Sequence, residues 1–151
     1  LPNHFPFMKT VSNLLLEEAI AVLQEGKNVS LYIRGNSMFP FLRDGKDILE
    51  LCPPGDRALG RGDVVLFRYG GKLLLHRIIA LRGEYFIMQG DGCWQNKEKA
   101  VRSDIFAILF AVRYPDGRIR HCQSFTWRFY SALWFHLRFI RRYVLAVLRR
   151  I

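Results

Sequence analysis

Gly35-Asn36-Ser37-Met38-Phe39-Pro40 lies just past the end of the apolar, β-branched run from Val29 to Ile33. Gly35 before the serine and Pro40 after it place Ser37 on a sharp strand-to-turn corner, where a hydroxyl can face a cleft. Two other stretches read together with it. Leu75-His76-Arg77 lies inside a second strand-like run, and Gln89-Gly90-Asp91-Gly92 has the composition of a tight turn. A serine becomes a useful nucleophile when a base takes its proton and a third group orients that base. The order Ser37, His76, Asp91 supplies those three parts.

Outward from that stretch, the hydrophobic period is two from residue 29 to residue 122. Strands are expected at 29–34, 47–52, 63–69, 72–81, 84–89, 105–113 and 118–122. They are separated by Asp44-Gly45, Pro53-Pro54-Gly55, Arg61-Gly62-Asp63, Gly70-Gly71, Arg82-Gly83 and Pro115-Asp116-Gly117. Many short strands at this spacing imply a mainly β fold with a closed or coiled antiparallel sheet. Residues 1–9, with Pro2 and Pro6, read as an extended arm. Residues 10–25 read as a helix capped by Thr10 or Ser12 and ended by Gly26. Residues 126–151 read as one further helix, with Leu133, Leu137, Ile140, Val144, Leu148 and Ile151 on one stripe and Arg138, Arg141, Arg142 and Arg149 on the other side. The division expected is a catalytic domain over 1–126 followed by a basic amphipathic helix over 127–151.

At 151 residues the chain has the length of one domain and can bury a real core. Half of the residues are hydrophobic, which excludes a disordered chain. The formal charge of +10 is concentrated: residues 127–151 hold six arginines and no acid. Such a tail calls for an anionic partner, with a membrane surface preferred over nucleic acid. Cys52, Cys93 and Cys122 have neither disulfide-framework nor metal-site spacing and read as free thiols. No signal peptide is read, and no run approaches the ~20 apolar residues needed to span a bilayer. The expected location is therefore peripheral at a membrane, or cytoplasmic.

The chain resembles the signal peptidase I and LexA-like serine peptidase superfamily. Four ordered stretches carry the resemblance: GNSMFPFLRDGKD at 35–47, GDVVLF at 62–67, LHRII at 75–79 and QGDG at 89–92. Most bacterial members use lysine as the base, and His76 is similar to the histidine of the archaeal and endoplasmic-reticulum-like branch. The resemblance implies a mostly β peptidase domain, a Ser-His endopeptidase without metal or organic cofactor, and a peptide or precursor-protein substrate lying extended beside a strand edge.

Within that reading Ser37 is the nucleophile and its amide one oxyanion donor. Gly35 lets backbone approach a substrate strand, and Met38 lines the cleft or packs in the core. His76 is the base. Lys72 is its rival, because period two puts Lys72, Leu74, His76 and Ile78 on one sheet face. Asp91 is the favoured third member and Glu98 the alternative. Asp44 and Asp63 read as turn residues. His4, His121 and His136 have no partner motif. Three other readings stand beside the peptidase: a peptide-binding module on the same fold, a self-cleaving regulator of the LexA type, and a nucleic-acid binder acting through the basic tail.

Overall fold

The computed structural model describes residues 15–151. The expected arm at 1–9, His4 and the first turn of the expected helix lie outside the described residues. Residues 15–24 are helical (α1), and Gly26, at φ +85°, follows the last turn. Eight strands follow: β1 Val29–Tyr32, β2 Ile48–Cys52, β3 Val64–Tyr69, β4 Lys72–Arg82, β5 Tyr85–Gln89, β6 Glu98–Val101, β7 Ile105–Arg113 and β8 Ile119–His121. Two helices close the chain, α2 Phe125–His136 and α3 Arg141–Leu148.

β3 shows how this sequence makes the sheet. Val64-Val65-Leu66-Phe67 is a continuous apolar run because both faces of the strand are covered. Val64 and Leu66 join one core cluster with Leu23, Met38, Leu42, Leu51 and Trp127. Val65 and Phe67 join a second with Ile78, Phe86, Met88, Ala100 and Ile108. Phe67 is fully buried; hiding a side chain of that size from water is worth about 1.5–3 kcal/mol.

All pairings are antiparallel, in the order β1-β2-β7-β3-β4-β5-β6. β7 exchanges partners along its length, pairing β3 through Ile105–Ile108 and β8 through Ala111–Arg113. The second cluster unites Ala100 of β6 with Val65 and Phe67 of β3, so the sheet curls over its own core. It is not a closed barrel, since the pairing path ends at β1 and β6. The mainly β expectation holds at this level.

Two expectations are corrected. β6 was not among the expected strands. Its Glu-Lys-Ala-Val sequence is short and charged, yet Glu98 and Ala100 are buried and Lys99 is exposed. The C-terminal segment is two helices, not one. Ser124 caps α2 by accepting from the Trp127 N–H, and Leu137 ends it. An unbroken helix over 126–151 would run about 39 Å, whereas the bend at 137–140 keeps both pieces against the sheet. The inward seam is Trp127, Ser131, Trp134, Arg141 and Leu145. It is not the expected stripe: Leu133, Ile140 and Ile151 are exposed. Among the described residues no helix is long and apolar enough to cross a membrane.

Candidate functional site

After β1 the chain turns through Gly35 to Phe41 and is pinned from below. Gly35 has φ +83° and donates its N–H to Asp44 Oδ1 at 2.8 Å. A Cβ at Gly35 would meet no atom of the folded chain, so the backbone angle, and not crowding, is what requires glycine there. The turn is closed by Phe39 N–H to Asn36 O at 3.1 Å and Leu42 N–H to Met38 O at 3.0 Å. Met38 is fully buried and its Sδ accepts from the Asp91 N–H at 3.5 Å. Of the two readings given to Met38, core packing is the one realised. Its neighbour Ser37 is half-buried. The Ser37 N–H has no acceptor among the described residues.

The β5–β6 turn comes up against this loop. Gly92 donates its N–H to Ser37 O at 2.7 Å. A Cβ on Gly90 would collide with Ser37 O, stand 3.0 Å from His76 Nε2 and 3.1 Å from Cys93 Sγ. A Cβ on Gly92 would collide with Asn36 O. Here close approach does demand glycine at both positions. The same contact shows that His76 Nε2 and the Ser37 backbone border one small space.

His76 sits on β4 opposite Val65, 4% exposed, with its ring edge-on to Phe67 at 6.1 Å. Its Nδ1 lies 3.0 Å from Glu98 Oε2. An ionised carboxylate only accepts, so Nδ1 carries the hydrogen and donates it. That tautomer leaves the lone pair on Nε2, turned toward Gly90 and the Ser37 loop. Ser37 Oγ and His76 make no direct hydrogen bond with each other. Catalytic contacts commonly tighten only with substrate present.

Asp91 has a different partner. Arg77 grips its carboxylate through Nε at 2.9 and 3.2 Å and Nη2 at 2.7 Å. Arg77 Nη1 donates to Gly62 O at 3.0 Å and Ser131 Oγ at 2.9 Å, and the guanidinium lies over Phe41 at 4.9 Å. Both side chains are buried. Of the two acids read as the third member, the alternative Glu98 is the one beside the histidine, and the favoured Asp91 lies beside Arg77. Successive strand residues point to opposite sheet faces, so His76 and Arg77 cannot serve the same carboxylate. Arg77 carried no role in the sequence reading, and its place immediately after His76 was the available signal. Lys72 stands exposed at the hairpin end of β4, four residues or about 13 Å along the strand from His76.

The C-terminal helices hold the turn from outside. Trp134 Nε1 donates to Asp91 O at 3.0 Å, and Arg149 Nη2 donates to Gly92 O at 3.1 Å. Arg141 is 2% exposed and donates from Nη1 to Gln89 Oε1 at 2.9 Å and Cys93 O at 3.2 Å, and from Nη2 to Trp134 O at 3.3 Å. Among the described residues its Nε has no partner. Burial pulls the Arg141 pKa down and nearby Asp91 works against that shift. Burial likewise pushes up the thiols of Cys52 and Cys93, and that of Cys122 to about 12. All three cysteines are free.

Asp44 and Asp63 accept from the backbone N–H groups of Gly35 and Gly60, which fits turn residues. Two open grooves flank α2. One, about 290 Å³, is lined by Pro40, Phe41, Tyr114, Trp127 and Leu133; the other, about 390 Å³, by Arg57, Arg61, Arg128 and His136 among others. Neither includes Ser37 or His76. Among the described residues no cluster of three His, Cys, Asp or Glu side chains could hold a metal ion. No protein-family model matches the chain, and no curated protein matches it either.

Proposed function

We propose that the chain is a serine endopeptidase of the signal-peptidase-like kind, acting through Ser37, His76 and Glu98. The observation that carries the reading is the buried Glu98–His76 pair, which fixes a tautomer whose free Nε2 borders the Ser37 loop. In the reaction His76 Nε2 takes the Ser37 Oγ proton as Oγ attacks a peptide carbonyl carbon. The Ser37 N–H faces the developing oxyanion. His76 then gives its proton to the leaving amine as the C–N bond breaks, which leaves an ester on Ser37. Water, deprotonated by the same nitrogen, releases the acid and restores the serine. Glu98 stabilises the imidazolium formed in each half. The substrate is an extended peptide or precursor segment. Among the described residues β1 pairs only with β2 and runs into the Ser37 turn, and its other edge is the place for such a segment to add as a strand.

The test is labelling of wild-type protein and Ser37→Ala with a fluorophosphonate serine probe, combined with a proteome-wide search for a precursor that accumulates in the Ser37→Ala strain. Labelling that depends on both Ser37 and His76, together with one accumulating precursor, is the expected result. An unlabelled wild type that still binds peptide would replace this reading by the binding-module one.

A further inference from the structure

α2 and α3 each have two apolar faces, and the less apolar seam is the one packed inward. The buried seam carries Ser131 and the charged Arg141 between Trp127, Trp134 and Leu145. On the outside, Phe125, Phe129 and Leu133 repeat at i, i+4 along α2, and Phe125 is 81% exposed. Across the bend Phe139 is 80% exposed, and Ile140, Tyr143 and Val147 continue outward along α3. A helix that packs only on its own domain turns its apolar side inward and its charges outward. Clustered exposed apolar side chains of this kind mark an interaction surface.

The charges identify the partner. No acid occurs between Gly117 and Ile151. Arg128, Arg138, Arg142 and Arg150 are exposed on or beside the two helices, and among the described residues none pairs with a carboxylate. Arg138 lies over Phe135 and Phe139 at 4.5 Å, and Arg142 over Tyr143 at 4.5 Å and over Trp94 at 5.5 Å. Aromatic and aliphatic side chains interleaved with arginines match the boundary between headgroups and acyl chains of an anionic bilayer. A second copy would set arginines against arginines. Nucleic acid would leave Leu133, Ile140 and Val147 without a partner.

We propose that the outer sides of α2 and α3 are a docking surface for anionic phospholipid bilayers, lying in the interface without crossing it. The proposal stands independently of the peptidase reading. It also has a geometric consequence: the same segment holds Asp91 and Gly92 through Trp134 and Arg149, so docking would set the Ser37 loop at a fixed orientation to the membrane.

The test is co-sedimentation of the full chain with phosphatidylcholine vesicles and with phosphatidylcholine–phosphatidylglycerol vesicles. Two double variants of exposed side chains accompany it, Arg138→Gln with Arg142→Gln and Phe139→Gln with Val147→Gln, each matched to wild type by circular dichroism. The expected result is binding to the anionic vesicles alone. It should weaken roughly 30-fold in the arginine variant, at about 1 kcal/mol for each basic residue near the surface, and by about tenfold or more in the apolar variant. Equal binding to both vesicle types, or variants that bind like wild type, would overturn it. So would vesicle-free dimerisation or DNA retention that those same variants abolish without any vesicle binding.

Discussion

Glu98 Oε2 and His76 Nδ1 lie 3.0 Å apart, bridging 22 residues of chain between β4 and β6. The contact exists because β5 stands between those two strands and sets their registers: Arg77 faces Gln89, and Met88 faces Glu98. One carboxylate thereby reaches the histidine ring, while Asp91, only two residues beyond Gln89, is taken by Arg77.

The two acids should therefore fail differently. Glu98→Gln should leave stability nearly unchanged and lower kcat by roughly 10²–10⁴, because an amide no longer fixes the tautomer or stabilises the imidazolium. Asp91→Asn should cost about 3–5 kcal/mol in urea unfolding, because it leaves the buried Arg77 cation without its counter-charge. Peptide turnover and denaturation curves of both variants check this. The opposite pattern would return the orienting role to Asp91.

Gly90→Ala is expected to destabilise the protein by about 1–3 kcal/mol, the usual range for forcing a carbon into a filled site. Its methyl group would strike Ser37 O and crowd His76 Nε2. Activity should fall far more than stability. Gly83→Ala serves as the control: nothing lies near its Cβ position, and any cost there comes from its φ of +62° alone. Labelling rates with the serine probe, set beside thermal midpoints, separate the two effects.

Arg141 has neutral acceptors and no carboxylate, so replacing it removes a buried charge along with its hydrogen bonds. The relief of burying a charge and the cost of the acceptors left behind work in opposite directions. Arg141→Met should shift the unfolding free energy by less than about 2 kcal/mol while loosening the turn it holds. Exchange of the Gly92 amide, bonded to Ser37 O at 2.7 Å, should accelerate by roughly tenfold or more. Unchanged exchange would mean that Arg141 does not position the turn.

Cys122 gives a prediction in pH. Burial lifts its pKa from 9.0 to about 12, so between those values the unfolded chain has lost a proton that the folded protein retains. Its contribution is complete below pH 9 and is lost as pH rises toward 12, with a slope of up to about 1.4 kcal/mol per pH unit. Cys122→Ala should flatten that part of the stability curve relative to wild type. In the folded protein Cys122 should also be the last of the three thiols to react with iodoacetamide at pH 8, since the thiolate is the reactive form. Mass spectrometry of timed alkylation checks the order.

By itself the sequence determined the mainly β class, seven of the eight strands to within one or two residues, and the turns between them. Alternating side chains and Gly, Pro and Asp punctuation are local properties that any one strand displays. It also brought forward Ser37 and His76, and both border the small space at Gly90. Only the tertiary structure decided the rest. Which acid meets His76 depends on strand register across β4, β5 and β6, and the short charged strand that carries Glu98 has no periodic signal of its own. The bend between α2 and α3, and the choice of which apolar face packs, were likewise invisible. Helical spacing shows that a stripe exists but not what it touches, and Arg141 turns inward only because the carbonyls of Cys93 and Trp134 and the amide of Gln89 lie there to accept it.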